Sequence, residues 1–346
     1  MSKSNNKEKT MNVSGVLGQG HETYLTAAGE EAAQRVGRGP QLKGVVHEVL
    51  RRDQKNATGV LQGKITKLTK AKNAGTVDLV TMQNGKVVER EQLKDIVSRA
   101  GATKTKEQLQ SGKYNSAKIV TTTEGEKLLG KQVGTKNIES SGISSARTTR
   151  IADNTGAKVP NKNLLKSNFQ DIGNMAQSAA TTGAVIGSVV TAVSEFSDLQ
   201  TGKIDTVEYG MRVGKAAVVS AIDSGTRTAG ALAIKEGGKQ IAKQIGTESA
   251  KRLAGSNVAT AVAFGVVDQV WQTGKFITGD IDGAEYGKNT AQNVGSTAGA
   301  IAGAETGAAL GTCFCPGIGT AIGAGVGGLV GAIGGGALGR GLASWW

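Results

Sequence analysis

Apolar residues in the first third of the chain follow first a helical and then a strand period. From Gln41 to Ala57 they recur at helical spacing, which predicts a helix with one aliphatic stripe. Three segments with strand character follow, at 64–69, 76–82 and 86–94. Gln83-Asn84-Gly85 separates the last two, and Asn-Gly between apolar alternations indicates a hairpin.

The same region continues with a helix over 104–110, a strand over 117–122 and a short helix over 124–129. The predicted order is αβββαβ over residues 41–131. Residues 1–40 are polar and glycine-rich and are expected to be flexible, apart from a short helix over 22–36. Residues 132–160 are rich in Ser, Thr, Gly and Asn without clear periodicity, so they are predicted to be a linker.

Everything after the linker has a helical pattern, and part of it is repeated. The ten residues Thr201–Gly210 recur 77 positions later as Thr278–Gly287, with seven identities. In each copy an Asp precedes a Glu by three residues, which is the spacing of a capping box at a helix start. Each unit is therefore expected to be a helix, a glycine-containing turn and a capped second helix, over residues 161–287.

Glycine recurs every fourth residue near the end of the chain. The first series runs from Gly295 to Gly311, and the second from Gly319 to Gly339, on either side of Cys315-Pro316-Gly317. On a helix this period gives a nearly straight groove that lets another backbone approach closely. Residues 288–346 are thus predicted to be a helical hairpin, and they resemble glycine-zipper segments. No charge occurs between Thr306 and Gly339, so the hairpin is expected either to enter a membrane or to pack against protein.

The net charge of +13 is concentrated at the start of the chain. Residues 1–131 hold 23 Lys and Arg against 13 Asp and Glu, which favours an anionic partner such as nucleic acid or a membrane surface. Aromatic residues make up only 3% of the chain, so a binder that stacks single-stranded bases is disfavoured. Met1 to Lys9 is polar and lacks the apolar core of a secretory signal, so the expected location is cytoplasmic.

Candidate chemistry lies among the predicted strands. Asp78 is placed in the second strand, and Gln92 and Lys94 share a face of the third because they are two residues apart. Glu48 lies on the preceding helix. A carboxylate, an amide and an ammonium that converge at one sheet edge suit divalent-metal-assisted cleavage of a phosphodiester.

With Glu48, Val77-Asp78 and Gln92-Leu93-Lys94 in this order of elements, residues 41–129 resemble the PD-(D/E)xK nuclease superfamily, in particular its Holliday-junction-resolvase-like branch. The resemblance implies a restriction-endonuclease-like core. It also implies Asp78 as the principal ligand of Mg²⁺ (or Mn²⁺), Glu48 and Gln92 as supporting ligands, and Lys94 as the catalytic cation. Val77 stands in place of the family's proline, and Gln92 in place of an acidic residue.

The predicted fold class is α+β and multidomain, with a nuclease-like domain followed by an all-α, Gly- and Ala-rich repeat region and the terminal hairpin. The predicted function is metal-dependent endonucleolytic hydrolysis of DNA, in a bacterial or phage toxin, defence or mobile-element protein. The alternative is a membrane-inserting or membrane-anchored glycine-zipper protein that contacts lipid through 288–346. Its N-terminal domain would be a non-catalytic nucleic-acid-binding module or adaptor. A homo-oligomer through the zipper helices is expected in either case, and a structural phage component with a degenerate nuclease fold is a third hypothesis.

Overall fold

The computed structural model describes residues 2–59, 62–69, 75–157, 164–314 and 318–343. Within this part the chain forms two compact units. Residues Thr26–Asp171 form one, which we call the α/β unit. Met1–Leu25 together with Ile172–Trp346 form the other, the helical unit.

A six-stranded mixed sheet organises the α/β unit, in the order β1-β2-β3-β4-β6-β5. The strands are β1 Lys64–Leu68, β2 Leu79–Gln83, β3 Lys86–Lys94, β4 Lys118–Thr121, β5 Gln132–Val133 and β6 Lys136–Ser140. The first three pair antiparallel, β3 pairs parallel with β4, and β4 pairs parallel with β6. The short β5 closes the far edge antiparallel to β6.

The β2–β3 hairpin is confirmed at the predicted turn. Asn84 and Gly85 have φ angles of 51° and 74°. Two consecutive left-handed residues are what a two-residue turn of type I′ requires, and its backbone twist matches that of the flanking strands. Because Lys86 then follows directly as the first residue of β3, the turn sets which residues of β3 stand beside β2.

Helices cover the sheet in the predicted order αβββαβ. The helices are α1 Ser2–Val36, α2 Leu42–Gly59, α3 Arg99–Gln110, α4 Thr123–Leu129 and α5 Ser145–Asn154. Leu79, Leu93 and Val120 form one apolar cluster on the strands, with Leu68 packed against it. A second cluster joins Ile119 and Ile138 to Leu109 of α3 and Leu129 of α4. Helix α3 begins five residues earlier than predicted because Ser98 caps it by accepting the N–H of Gly101.

The predicted linker over 132–160 is structured up to residue 157. It contains β5, β6 and α5, and β6 pairs with β4 through Ile119 and Ile138. Helix α5 buries mostly small polar residues, and Thr148 and Ser145 donate hydrogen bonds to Asp95. Much of what α5 buries is hydroxyl and other polar groups rather than large aliphatic side chains. Residues 158–160 lie outside the described part.

The N-terminal segment also differs from the prediction. Helix α1 extends from Ser2 to Val36, whereas residues 1–40 were expected to be flexible with a helix only over 22–36. Its buried positions include Leu25, Ala28 and Ala32, and a Cβ added at Gly29 would overlap the side chain of Ile151 on α5. The packing face is therefore made of small residues, which carry a weak hydrophobic signal. The compact unit consequently spans Thr26–Asp171 rather than 41–131.

The helical unit confirms the internal repeat. The remaining helices are α6 Leu164–Gln200, α7 Thr206–Ile245, α8 Glu248–Gly255, α9 Asn257–Ile277, α10 Gly283–Phe314 and α11 Ile318–Ala343. In the first copy Asp205 accepts the N–H of Glu208 at 2.7 Å. In the second copy Asp282 accepts the N–H of Glu285 at 2.8 Å. Both predicted caps are present, and the second capped helix is also the first arm of the hairpin, so no boundary falls at 288.

Equivalent positions of the repeat keep their contacts while the chemistry changes. Arg212 pairs with Glu195 at 2.5 Å across the first helix pair. At the same two positions of the second pair, Asn289 donates to Gln272 at 3.1 Å. The charged pair is therefore replaced by an amide pair.

Helices α10 and α11 pack antiparallel along their glycines. The glycines at 295, 299, 303 and 307 face those at 335, 331, 327 and 323, respectively. A Cβ added at Gly299 would overlap the carbonyl group of Gly331, and the reverse substitution would overlap Gly299. At the open end Arg340 donates to Glu285, Asn289 and Gln292. Residues 315–317, Trp345 and Trp346 lie outside the described part.

Candidate active site

Asp78 lies immediately before β2, whereas the sequence predicts it inside that strand. Its backbone N–H donates to the carbonyl of Glu91 at 2.8 Å, and its carbonyl accepts the N–H of Thr69 at 2.9 Å. These two bonds extend the pairing of β2 with β1 and with β3 by one residue. The backbone of Asp78 is thus held between the two neighbouring segments, and its side chain has a defined position.

Gln92 on β3 lies beside Asp78. Its Nε2 donates to Oδ2 of Asp78 at 2.5 Å, and the backbone N–H of Leu93 donates to the same oxygen at 2.7 Å. Gln92 is only 5% exposed, and its Oε1 is buried with no hydrogen-bond partner among the described residues. A buried amide oxygen without a donor is costly, so this atom is available to a ligand that needs an oxygen lone pair.

Glu48 on α2 and Lys94 at the end of β3 complete the predicted set. Burial raises the pKa of Glu48 to about 8, and the carboxylate of Asp78 contributes to this increase. The positive charges of Arg35 and Lys94 act in the opposite direction. Burial also raises the pKa of Asp78 to about 6, against the opposing effects of the Leu93 N–H and Lys94. Asp78 therefore interacts with each of the other three predicted residues, with Gln92 through a hydrogen bond and with Glu48 and Lys94 through their charges.

Tyr114 and Arg35 belong to the same site, and the sequence analysis did not assign them to it. Nζ of Lys94 lies 4.6 Å from the centre of the Tyr114 ring, a cation–π contact. Arg35, in the last turn of α1, donates from Nη2 to the carbonyl of Thr69 at 2.9 Å. The only sequence signal for Arg35 was the helix predicted over 22–36, which gave no reason to place it near Asp78.

The opposite side of β3 serves a structural purpose. Glu91, one residue from Gln92 along the strand and so on the opposite face, is 1% exposed and forms ion pairs with Arg51 and Lys55. Arg52 forms ion pairs with Glu31 and Asp53. The structure thus places Arg51, Arg52 and Lys55 in ion pairs within the protein.

His47 has a packing role in the α/β unit. It is fully buried, and its Nε2 lies 2.8 Å from Oγ of Ser141 on the segment that follows β6. Burial lowers its pKa to about 4, so the ring is neutral at physiological pH and joins α2 to that segment.

The donor atoms suit a hard divalent cation only in part. Two carboxylates and one unpartnered amide oxygen are the oxygen ligands that Mg²⁺ prefers, and Mg²⁺ usually keeps several water ligands besides. Across the described residues no group of three or more His, Cys, Asp or Glu side chains is arranged to hold a metal. The three residues therefore fit a cation that also binds water or substrate oxygens.

Comparison with known proteins concerns the other end of the chain. A family model described as C13G5.2-like, glycine zipper domain matches residues 286–338. The α10–α11 hairpin is similar to a glycine zipper domain. Searches of curated proteins and of solved structures found no match. The match confirms the predicted zipper, whereas no comparison supports a PD-(D/E)xK core in residues 41–129, which stays a prediction.

Proposed function

We propose that the α/β unit hydrolyses phosphodiester bonds of DNA with the help of Mg²⁺ or Mn²⁺. The observation that carries the proposal is the cluster of Glu48, Asp78, Gln92 and Lys94, with Oε1 of Gln92 left without a donor. The order αβββαβ and the antiparallel β1-β2-β3 followed by the parallel β4 are compatible with a restriction-endonuclease-like core. The basic balance of residues 1–131 favours a nucleic-acid substrate.

Each residue has a distinct role in this proposal. Glu48, Asp78 and Oε1 of Gln92 would hold the cation. When bound, such an ion stabilises negative charge on the phosphate and lowers the pKa of bound water. Lys94 orients the attacking water and stabilises charge that develops on the phosphate oxygens, since its ammonium group has three donors and a fixed positive charge. The Leu93 N–H and the Gln92 amide hold Asp78 so that its carboxylate keeps one orientation.

The test is a cleavage assay of the full-length chain on plasmid, single-stranded and branched DNA with Mg²⁺ or Mn²⁺. We expect Asp78→Asn and Lys94→Met to lower the rate about 100-fold or more, as removal of one charge-stabilising group does elsewhere. Glu107→Gln and Lys104→Met, at exposed positions of α3, are the matched controls and should cleave normally. A wild-type chain that cuts none of these substrates would rule out the nuclease. Normal cleavage by both site variants would rule out this assignment of the site.

We propose lipid contact through residues 288–346 as a second function. Within the described residues one stretch, Val326–Ala343, is long and apolar enough to cross a bilayer, with a mean hydropathy of 1.2 over 18 residues. The hairpin is held by glycine-to-glycine backbone packing, which needs no water to drive it. Large side chains on α11, among them Val326, Val330 and Ile333, are exposed and would face lipid or a second copy of the chain.

The helical unit has a second feature that favours this proposal. Val185, Val189 and Val193 of the first repeat are exposed, and so are their counterparts Val262, Val266 and Val270. Inside the same unit Lys235 pairs with Glu22 at 3.0 Å, both almost fully buried. Paired charges inside and exposed apolar stripes outside are typical of a bundle whose surroundings are apolar.

Co-flotation with liposomes tests lipid contact. The full-length chain should float with vesicles of mixed zwitterionic and anionic lipids, and removal of residues 288–346 should abolish flotation. As a control for charge attraction, flotation should persist in 1 M salt, where exposed charges are screened over about 3 Å. A full-length chain that remains in the soluble fraction would rule out this second function.

A further inference from the structure

Arg35 is an arginine whose donors are mostly unused. Nη2 donates to the carbonyl of Thr69, and within the described part of the chain no other hydrogen bond or ion pair of this side chain is found. A guanidinium carries five N–H donors. The other arginines near this sheet differ, because Arg51 and Arg52 each bind two carboxylates.

The anchor of Arg35 places it beside the candidate site. Thr69 follows β1, and its N–H and hydroxyl donate to the carbonyls of Asp78 and Val77 at 2.9 and 3.1 Å, respectively. The guanidinium therefore lies against the segment that holds Asp78. It is also close enough to Glu48 for its charge to favour the ionised form of that carboxyl group and lower its pKa, although no ion pair joins the two.

Such a position suits an anionic ligand. The planar fork of a guanidinium matches two oxygens of a phosphate, and an arginine that neutralises no protein carboxylate retains its full charge for that purpose. Together with Lys94 it provides two positive charges at the edge of the sheet where Glu48 and Asp78 provide two acids.

We propose that Arg35 binds the phosphate group adjacent to the cleaved phosphodiester in the DNA backbone. Helix α1 then supplies a substrate-binding residue to the α/β site. This inference rests on the proposed nuclease function. It extends the site beyond residues 41–131 and gives a role to the arginine in the last turn of α1.

Binding of a fluorescently labelled 30-base-pair duplex to the full-length chain in EDTA, measured by anisotropy at several salt concentrations, tests the proposal without catalysis. Arg35→Gln should weaken binding about tenfold, since charge-assisted hydrogen bonds from a guanidinium to a phosphate are among the stronger ones. It should also reduce the slope of log K against log salt by about 1. Arg35→Lys should keep the wild-type slope because the charge remains.

Arg38→Gln is the matched control. Arg38 lies three residues further on, and it already binds Glu30 and the carbonyl of Thr155. The control removes the same charge but should leave affinity and slope nearly unchanged. Thermal unfolding of each variant checks that the Thr69 anchor is not needed for folding. If Arg35→Gln unfolds, Arg35→Lys still tests the contact, because it should weaken binding through loss of the planar fork, and unchanged affinity would contradict the proposal.

The outcomes separate the two proposals. If the wild-type chain binds and cuts DNA but Arg35→Gln and Arg38→Gln behave alike, the role of Arg35 is wrong and the nuclease stands. If the wild-type chain neither binds nor cuts DNA, both are wrong. A selective loss of affinity and of salt dependence in Arg35→Gln would establish the contact.

Discussion

At the scale of single residues, the α/β site contains two acidic side chains whose ionisation is unfavourable. Glu48 and Asp78 are two acids held near each other in partly buried positions, and both have raised pKa values. Ionisation of such a pair in the folded chain is less favourable than in the unfolded chain. A bound cation or substrate would offset this unfavourable ionisation. Raised pKa values of this kind are therefore an argument for a functional site.

The first prediction concerns pH. Because burial and the neighbouring Asp78 raise the pKa of Glu48 from 4.5 to about 8, the folded state binds more protons than the unfolded state between these values. The stability of the α/β unit should therefore fall as pH rises through this window, and the loss should be complete above about pH 8. Hydrogen exchange of the β3 and β4 amides in EDTA, corrected for the intrinsic rate, measures the change.

Glu48→Gln should remove the part of this decrease between about pH 6 and 8, since only Asp78, with a pKa of about 6, would still titrate. Glu107→Gln, on an exposed surface of α3, should keep the full decrease. Mg²⁺ should reduce the decrease in the wild-type chain. A stability that is independent of pH in the wild type would contradict the raised pKa of Glu48.

The second prediction concerns how Lys94 is held. Tyr114 is 2% exposed, its ring lies 4.6 Å from Nζ of Lys94, and its hydroxyl donates to Gln108. Tyr114→Phe keeps the ring and should cleave DNA within about threefold of wild type, whereas Tyr114→Leu should lose about tenfold, equivalent to about 1.4 kcal/mol for a cation–π contact.

A signal independent of cleavage distinguishes positioning from general damage. The ring current of Tyr114 should shift the Lys94 ε-methylene protons upfield in wild type and in Tyr114→Phe, and the NMR shift should vanish in Tyr114→Leu. If both variants lose cleavage equally, and the NMR shift of the Lys94 ε-methylene protons is the same in both as in wild type, then Tyr114 only supports the core.

At the scale of elements, the terminal helices pair through their backbones. On each arm the glycine at every fourth position meets a carbonyl of the other arm, so the helices approach more closely than side chains would allow. Not every glycine of α11 takes part. A Cβ at Gly334 would meet nothing within 4 Å, so packing in the hairpin does not require glycine at this position.

The third prediction uses this contrast. Gly331→Ala should destabilise the helical unit by about 1–3 kcal/mol because its methyl group would overlap the carbonyl of Gly299. Gly334→Ala, three residues away on the same helix, should stabilise it by about 0.5–1 kcal/mol because alanine loses less backbone entropy. Urea unfolding followed by helix circular dichroism gives both values. Equal effects of the two substitutions would mean that the arms do not pack in this register.

At the scale of the whole molecule, the α/β unit depends on segments on both sides of the predicted core. Ser141 binds His47 of α2, and Ser145 and Thr148 of α5 bind Asp95 at the end of β3. Strand β6 covers β4, which would otherwise be an open edge. The residues that complete the core are thus about 50 to 100 positions from those they contact.

The fourth prediction follows from this arrangement. A fragment of residues 26–171 should unfold cooperatively and give dispersed amide NMR signals, because it contains β6, α5 and the last third of α1. The fragment 41–131 should not, because β4 is then uncovered, His47 loses Ser141, and Asp95 loses Ser145 and Thr148. A folded 41–131 fragment with native-like signals would contradict the dependence on β6 and α5.

Sequence patterns alone determined the local elements and the residues that share a strand face. The αβββαβ order, the Asn84-Gly85 turn, the two Asp caps and the four-residue glycine period all depend on neighbours within about ten positions, where backbone geometry and side-chain period act directly. Gln92 and Lys94 were placed on one side of β3 for the same reason.

Only the tertiary structure decided which distant residues meet. The structured segment after residue 131, the full extent of α1 and the presence of Arg35 and Tyr114 at the site could not be read from periodicity. Small residues such as Ala28 and Ala32 of α1 pack as well as larger aliphatic ones, yet they give only a weak apolar stripe. Long-range contacts of this kind depend on shape and on paired polar groups, which appear only once the chain is folded.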